Sequence, residues 1–243
     1  MKVDKKVVDK TSGVCYNFFM DLSFSRVLND NAVIYAEFKD QLLNFNEKCN
    51  VTSIRNDEEV WIKHFYDSVA PEKYFFNGAR VVEIGSGGGF PSVPLMIARP
   101  DLRFTLIEST GKKCAFLSGI VDKFKLNCEN VLNIRAESGA KDKNLREKFD
   151  IATARAVAGL STLCEYCLPF VKKGGRFIAY KGANESVDDA ANAIKILGGE
   201  IEEIYPYELP LSMGERRAII IKKVCATPEK YPRGNGKERK NPL

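Results

Sequence analysis

From residue 80 onward the chain alternates. Short apolar runs, "RVVEIG", "RFTLIES", "NVLNIRA", "FDIATAR" and "GRFIAYKG", are separated by stretches long enough for crossover helices. That rhythm predicts a mainly parallel sheet covered on both faces. The last two runs, "GEIEEIYPYE" and "RRAIIIKK", have only "LPLSMGE" between them, and are expected as an antiparallel pair at the end of the sheet. Before residue 76 the spacing is helical instead. Ile34, Phe38, Leu42, Phe45 and Cys49 form one apolar stripe at three- and four-residue steps. "NDEEVWIKHFYDSV" opens on Asn56 or Asp57 as an N-cap, with Glu58 and Glu59 in the first turn. No strand is expected in this part. The tail "CATPEKYPRGNGKERKNPL" is rich in Pro, Gly, Lys and Arg and is expected to lack regular structure. The expected division is a helical extension over 1–75, an α/β domain over 76–224 and a basic tail over 225–243.

Composition excludes several classes. The chain is 44% hydrophobic and 28% charged, ordinary for a globular protein. No apolar run approaches a membrane span, and the start "MKVDKKVVDK" has no apolar core behind it, so no secretory signal is expected. Seven cysteines without paired spacing are expected as reduced thiols in a cytoplasmic protein. A net charge of +5 permits a nucleic-acid partner without requiring one.

The first run empties into glycines: "VVEIGSGGGFPS", residues 81–92. A strand, a bare turn and a helix starting near Pro91 or Ser92 let a ligand approach the backbone closely. The dinucleotide fingerprint wants a small residue at its third glycine, where Phe90 stands, and no Gly-Lys-Ser/Thr follows to make a P-loop. The spacing is Glu-x-Gly-x-Gly-x-Gly from Glu83 to Gly89, through Gly85 and Gly87. It resembles the first motif of class I methyltransferases that use S-adenosylmethionine. Glu108 lies at the end of the next strand, about 20 residues on, where an acid accepts both ribose hydroxyls. In "RAES", Ala136 offers a backbone N–H to an adenine ring and Glu137 an acceptor for its amine, the alternative for Glu137 being a helix N-terminal acid.

A closer resemblance rests on "EKCNVTSIRN", "HFYDSV", "GFPSVPLMIARPD", "ESTGKKCAFL", "FDIATARAVAGL", "GRFIAYKG" and "GERRAIIIKK". From about residue 45 to the end the chain is similar to the RsmG (GidB) family, the small-subunit rRNA guanine-N7 methyltransferases. The resemblance implies a class I methyltransferase fold, Rossmann-like with a seven-stranded sheet, behind an N-terminal helical extension. It implies S-adenosylmethionine as cofactor and 16S rRNA or the small ribosomal subunit as partner. It carries over Gly85, Phe90, Ala136, Glu137 and Arg155 as cofactor residues, with Glu108 on the ribose. The sequence departs from the family at "KCNVT", usually "AYNLT", and at Glu108, often Asp.

Elimination agrees with that chemistry. After the fourth strand "ARAVAG" replaces the Asn/Asp-Pro-Pro-Tyr/Phe loop of exocyclic amine methylation. Cys164 and Cys167 lie in an apolar helical stretch and are expected as half-buried thiols rather than nucleophiles or zinc ligands. His64 is the only histidine, so no metal site is expected. Guanine N7 carries an in-plane lone pair and needs no deprotonation, so no catalytic base is required. Arg155 either lies by the cofactor or holds guanine O6 while N7 stays free. His64 and Asp67 share a helix face; His64 is either a packing contact or a contact to the target base. Lys181, Arg216 and Arg217 are candidate substrate contacts. With Lys112, Lys113, Lys230, Arg233, Lys237, Arg239 and Lys240 they are candidates for a basic rim. A monomer is expected. Two rivals stay open: a class I methyltransferase for a small molecule or protein, and a nicotinamide-dependent oxidoreductase, against which Phe90 argues.

Overall fold

A computed structural model describes residues 5–8, 15–18, 28 and 30–243. Seven strands form one sheet in the order β5-β4-β3-β6-β7-β9-β8. These are β3 Arg80–Ile84, β4 Arg103–Ile107, β5 Cys128–Leu132, β6 Phe149–Arg155, β7 Val171–Gly182, β8 Gly199–Glu208 and β9 Glu215–Lys223. β3 pairs in parallel with β4 and β6, β4 with β5, and β6 with β7. β9 runs antiparallel between β7 and β8. The central strands are buried on both faces and send alternate residues into two cores. Val81, Phe104, Ile151, Ile178 and Ile220 enter one; Val82, Ile84, Phe149, Phe177 and Ile219 enter the other.

The first core is completed by the N-terminal helices. In α1, Ala32–Cys49, the buried stripe is Tyr35, Phe38, Leu42 and Asn46. The expected stripe is therefore rotated: Ile34, Phe45 and Cys49 lie half-buried at its flanks. Two polar groups cause the shift. The Tyr35 hydroxyl donates to the Pro94 carbonyl at 2.9 Å, and the Asn46 amide exchanges two 2.9 Å bonds with the Thr52 backbone. A second helical stretch over 57–69 is capped by Asn56, whose Oδ1 accepts from the Glu59 N–H at 3.2 Å. Its middle, Trp61–Tyr66, is π-helical.

Two expectations are corrected. Lys5–Val8 (β1) pairs antiparallel with Cys15–Phe18 (β2), so strands do occur before residue 76. The tail holds a short helix, Lys237–Lys240, and buries Thr227, Tyr231 and Glu238. It is charged yet ordered, because buried polar contacts tie it to the body. Lys223 donates to Thr227 Oγ1 and the Leu168 carbonyl, each at 2.5 Å, and Arg233 grips buried Glu165 at 2.7–3.1 Å. Cys164 and Cys167 are fully buried in the helix Leu160–Cys167 (α6), and desolvation pushes both thiols up.

Candidate active site

The carboxyl ends of β3, β4 and β6 open on one cavity of about 540 Å³. The glycine turn forms its floor. Gly85 sits at φ +73°, and a Cβ there would lie 2.8 Å from Val157 Cγ2. Gly89 sits at φ +92°, where a Cβ would meet Val93 Cγ2 at 2.6 Å. These two positions are bare for different reasons. Gly89 lets the helix Ser92–Ala98 (α3) pack on the turn and does not line the cavity, whereas Gly85, Gly87 and Phe90 do.

Glu108 leaves β4 into the same cavity and is 6% exposed. Its carboxylate accepts the Gly87 N–H at 3.0 Å and the Thr110 N–H at 2.8 Å. One side chain thus fixes the turn and presents its remaining lone pairs to the cavity. Beneath the turn, fully buried Glu83 is bonded to the Ser92 hydroxyl, and burial raises its pKa to about 7. A smaller cavity of about 90 Å³ adjoins through Gly85, Ser109 and Val157; Ala136 and Glu137 line it.

Arg155 ends β6 and joins the sheet to the helical extension. Its guanidinium donates to Asp67 Oδ2 at 2.9 Å, to the Lys63 carbonyl at 3.0 Å and to His64 Nδ1 at 2.8 Å. The π-helical turn is where the Lys63 carbonyl becomes available to it, in keeping with the placement of such turns at functional sites. Arg155 is an obligate donor, so His64 Nδ1 is an acceptor and Nε2–H donates to Thr52 Oγ1, 2.8 Å away. The imidazole stacks on Phe90, with ring centroids 4.2 Å apart, and Arg155 lies 4.9 Å from that ring. Burial and the Arg155 charge lower the His64 pKa to about 3. Phe90 is therefore large because it packs against the extension.

A third cavity, about 640 Å³, begins where Arg155 and His64 end. Lys181 and Arg216 line it together with Asp67, Tyr180 and Glu185. Lys181 is already tied, 2.6 Å from both the Ala158 carbonyl and Glu185 Oε1. Arg217 bonds the Gly182 and Ala183 carbonyls and lines a neighbouring cavity that it shares with Arg216. Lys113 reaches the central cavity, while Arg233 is turned into its ion pair with Glu165. Thr52, Val157 and Arg239 also line these cavities. Arg239 is expected only in the basic rim, and Thr52 and Val157 lie in stretches that carry the resemblance without a role of their own; the local signal for Thr52 is the step from Asn46 to "NVTS", which ends α1 and brings Thr52 back. Among the described residues, no group of three or more His, Cys, Asp or Glu could hold a metal, and no helix is long and apolar enough to cross a membrane.

Solved structures share this architecture. A SAM-dependent O-methyltransferase from Thermotoga maritima matches with a TM-score of 0.50 at 13% identity, over 93% of this chain and 79% of that one. The mitomycin 7-O-methyltransferase MmcR matches with a TM-score of 0.53 at 16% identity, over 66% of this chain and 54% of that one. The fold is that of the class I S-adenosylmethionine-dependent methyltransferases. Within that class, the sequence model of the family described as rRNA small subunit methyltransferase G (GidB) matches residues 31–207, and the chain belongs to this family. Relatives named ribosomal RNA small subunit methyltransferase G include one from Staphylococcus aureus, 46% identical over 83% of this chain and 86% of its own length. Another, from Acetivibrio thermocellus, is 40% identical over 100% of this chain and 98% of its own length.

Proposed function

We propose that this chain transfers a methyl group from S-adenosylmethionine to N7 of a guanine in small-subunit (16S) ribosomal RNA. Family membership supports the rRNA substrate. The observation that carries the choice of acceptor is that every carboxylate and imidazole lining the two large cavities, among the described residues, is already hydrogen-bonded within the protein, and the one with lone pairs facing the central cavity, Glu108, is assigned to the ribose. Asp67 holds Arg155 and Tyr207, Glu185 holds Lys181 and the Leu160 N–H, Glu108 holds two backbone N–H groups, and His64 is neutral with both nitrogens bonded. Such a site suits a nucleophile that brings its own lone pair. In this reading residues 1–75 position the target, 76–224 hold the cofactor and 225–243 close the body. The protein works as a monomer in the cytoplasm.

The bare turn and the partly committed Glu108 fit an adenosine group: backbone approaches the cavity at Gly85 and Gly87, and a carboxylate stands where ribose hydroxyls need an acceptor. S-adenosylmethionine supplies, when bound, a methyl group on a positively charged sulfur. Glu108 would hold its ribose, and the Ala136 N–H and Glu137 its adenine. Arg155 has given three of its five N–H groups to protein acceptors. The rest suit guanine O6 and leave N7 untouched. Arg216, with its side chain 29% exposed, is the best placed of the sequence candidates to meet RNA phosphate. Mass mapping of methylated guanines in rRNA from cells with and without the protein tests the whole reading; identical maps would end it.

Two results are expected at this site. Glu108→Ala should weaken adenosylhomocysteine binding by roughly 1.5–3 kcal/mol, the scale of charge-assisted hydrogen bonds. Calorimetry at normal strength would place the ribose contact elsewhere. The single-turnover rate should be nearly flat between about pH 6 and 9 in the parent and in His64→Gln alike, because guanine N7 carries no proton for a base to take. The effect of the substitution should appear in stability. Below its unfolded pKa of 6.5 the unfolded chain binds a proton that the fold, with His64 at about 3, refuses. The parent therefore loses stability as pH falls from 6.5, at up to about 1.4 kcal/mol per unit, and its advantage over His64→Gln shrinks in step. Glu83, raised to about 7, acts with the opposite sign between pH 4.5 and 7, but in both proteins, so the difference isolates His64. A constant difference from pH 7 to 5 would mean that His64 takes up its proton in the fold at the same pH as in the unfolded chain, and a growing one that the fold favours the charged ring.

A further inference from the structure

The tail runs back to the cofactor end of the sheet. Arg146 fastens its start, donating to the Thr227 carbonyl at 2.8 Å and the Tyr231 carbonyl at 2.9 Å. Arg233 on Glu165 holds its middle, and α6 holds its end: Thr162 Oγ1 donates to the Glu238 carbonyl at 2.8 Å and Ser161 Oγ to the Leu243 carbonyl at 3.0 Å. Seated this way, Arg239 is exposed, yet it lines the small cavity with Ala136, Glu137 and Tyr166. Its guanidinium lies 3.4 Å from the carbonyl of Val157, the residue common to all three cavities. The apolar walls are Ile84, Ile107, Ile134 and Val157, and Ser109, Arg135, Glu137 and Tyr166 supply polar groups around them. This chemistry suits a flat, uncharged heteroaromatic ring, with apolar contact on its faces and hydrogen bonding at its edge. A guanidinium beside such a ring stacks on it or donates to its ring nitrogens.

Resting on the proposed function, we infer that the C-terminal strap is part of the cofactor site and that Arg239 binds the adenine ring. The strap lies beyond residues 31–207, where the family match ends. Arg239 therefore serves the half of the cofactor that does not react. It acts equally on any ligand carrying that adenine, whatever stands at its sulfur end.

The test is calorimetry on the full-length protein, parent against Arg239→Ala. The two probes are adenosylhomocysteine and 5′-methylthioadenosine, which keeps the adenosine and lacks the amino-acid end. Both should bind about tenfold more weakly to the variant, and the unfolding midpoint without ligand should not move. Unchanged methylthioadenosine affinity overturns the inference, even if adenosylhomocysteine binding falls, because Arg239 would then serve the amino-acid end. Unchanged affinity for both probes with weaker binding of a small-subunit rRNA fragment overturns it too, making Arg239 a phosphate contact. A parent that binds neither probe sinks the proposed function itself, and the inference with it.

Discussion

Arg155→Ala should abolish methyl transfer and lower stability by about 3 kcal/mol or more. The Asp67 side chain is 7% exposed and the Arg155 side chain 12%, so removing the arginine leaves a carboxylate in the interior with the Tyr207 hydroxyl and Arg216, at 4.0 Å, to answer it. Breaking one partner of a buried pair costs on that scale, because the remaining charge keeps its desolvation penalty. The Lys63 carbonyl and His64 Nδ1 lose their donor in the same step. The loss of activity has a second origin: Arg155 is the peg on which the extension hangs over the cleft, and a small displacement of reacting groups reduces rate steeply. Chemical denaturation and single-turnover methylation of a small-subunit rRNA fragment measure the two effects. Adding Asp67→Asn to Arg155→Ala should recover part of the stability, since no uncompensated charge remains, and none of the activity. If Arg155→Ala alone unfolds at the parent's denaturant concentration, the ion pair is not what fastens the extension.

The sheet was legible because buried parallel strands are written as unbroken apolar runs. "RVVEI" and "RFTLI" become β3 and β4 with their ends where the glycine turn and Glu108 need them. What could not be read is what depends on distant partners. Asp67 and Arg155 are 88 residues apart, and nothing local to either announces the pair. The stripe of α1 was misphased because its buried face includes Tyr35 and Asn46, whose polar atoms find acceptors and donors on other segments. Charge misled in the tail. Lys, Arg and Gly there read as solvated and unstructured, yet Arg233 meets Glu165, Glu147 accepts the Thr227 N–H at 2.8 Å, and the segment is ordered. Even at the glycines the sequence gives the turn without the cause at each position, since a bare backbone serves close helix packing as well as a ligand.

Gly85→Val should eliminate measurable adenosylhomocysteine binding while leaving a folded protein. The sequence alone suggests that a side chain would fill space kept for the cofactor; the structure supplies a more specific cause. At φ +73° a β-branched residue is strained by about 1–3 kcal/mol. Its Cβ would stand 2.8 Å from Val157 Cγ2, so the turn or Val157 must move. Val157 lines all three cavities, and Gly85 lines two of them. Any shift that relieves the clash therefore alters the junction between the adenine end, the central cavity and the cavity beyond Arg155. Far-ultraviolet circular dichroism and a thermal midpoint verify folding, and calorimetry reads the binding. Gly85→Ala introduces the same first carbon with less bulk and should retain weak binding. Combining it with Val157→Ala should recover more, because the clash is relieved and only the backbone strain persists. Recovery in that double variant ties the defect to Val157. Parent-like binding by Gly85→Val would mean that the cofactor does not approach this turn, and the cavity at the carboxyl ends of β3, β4 and β6 would lose its assignment.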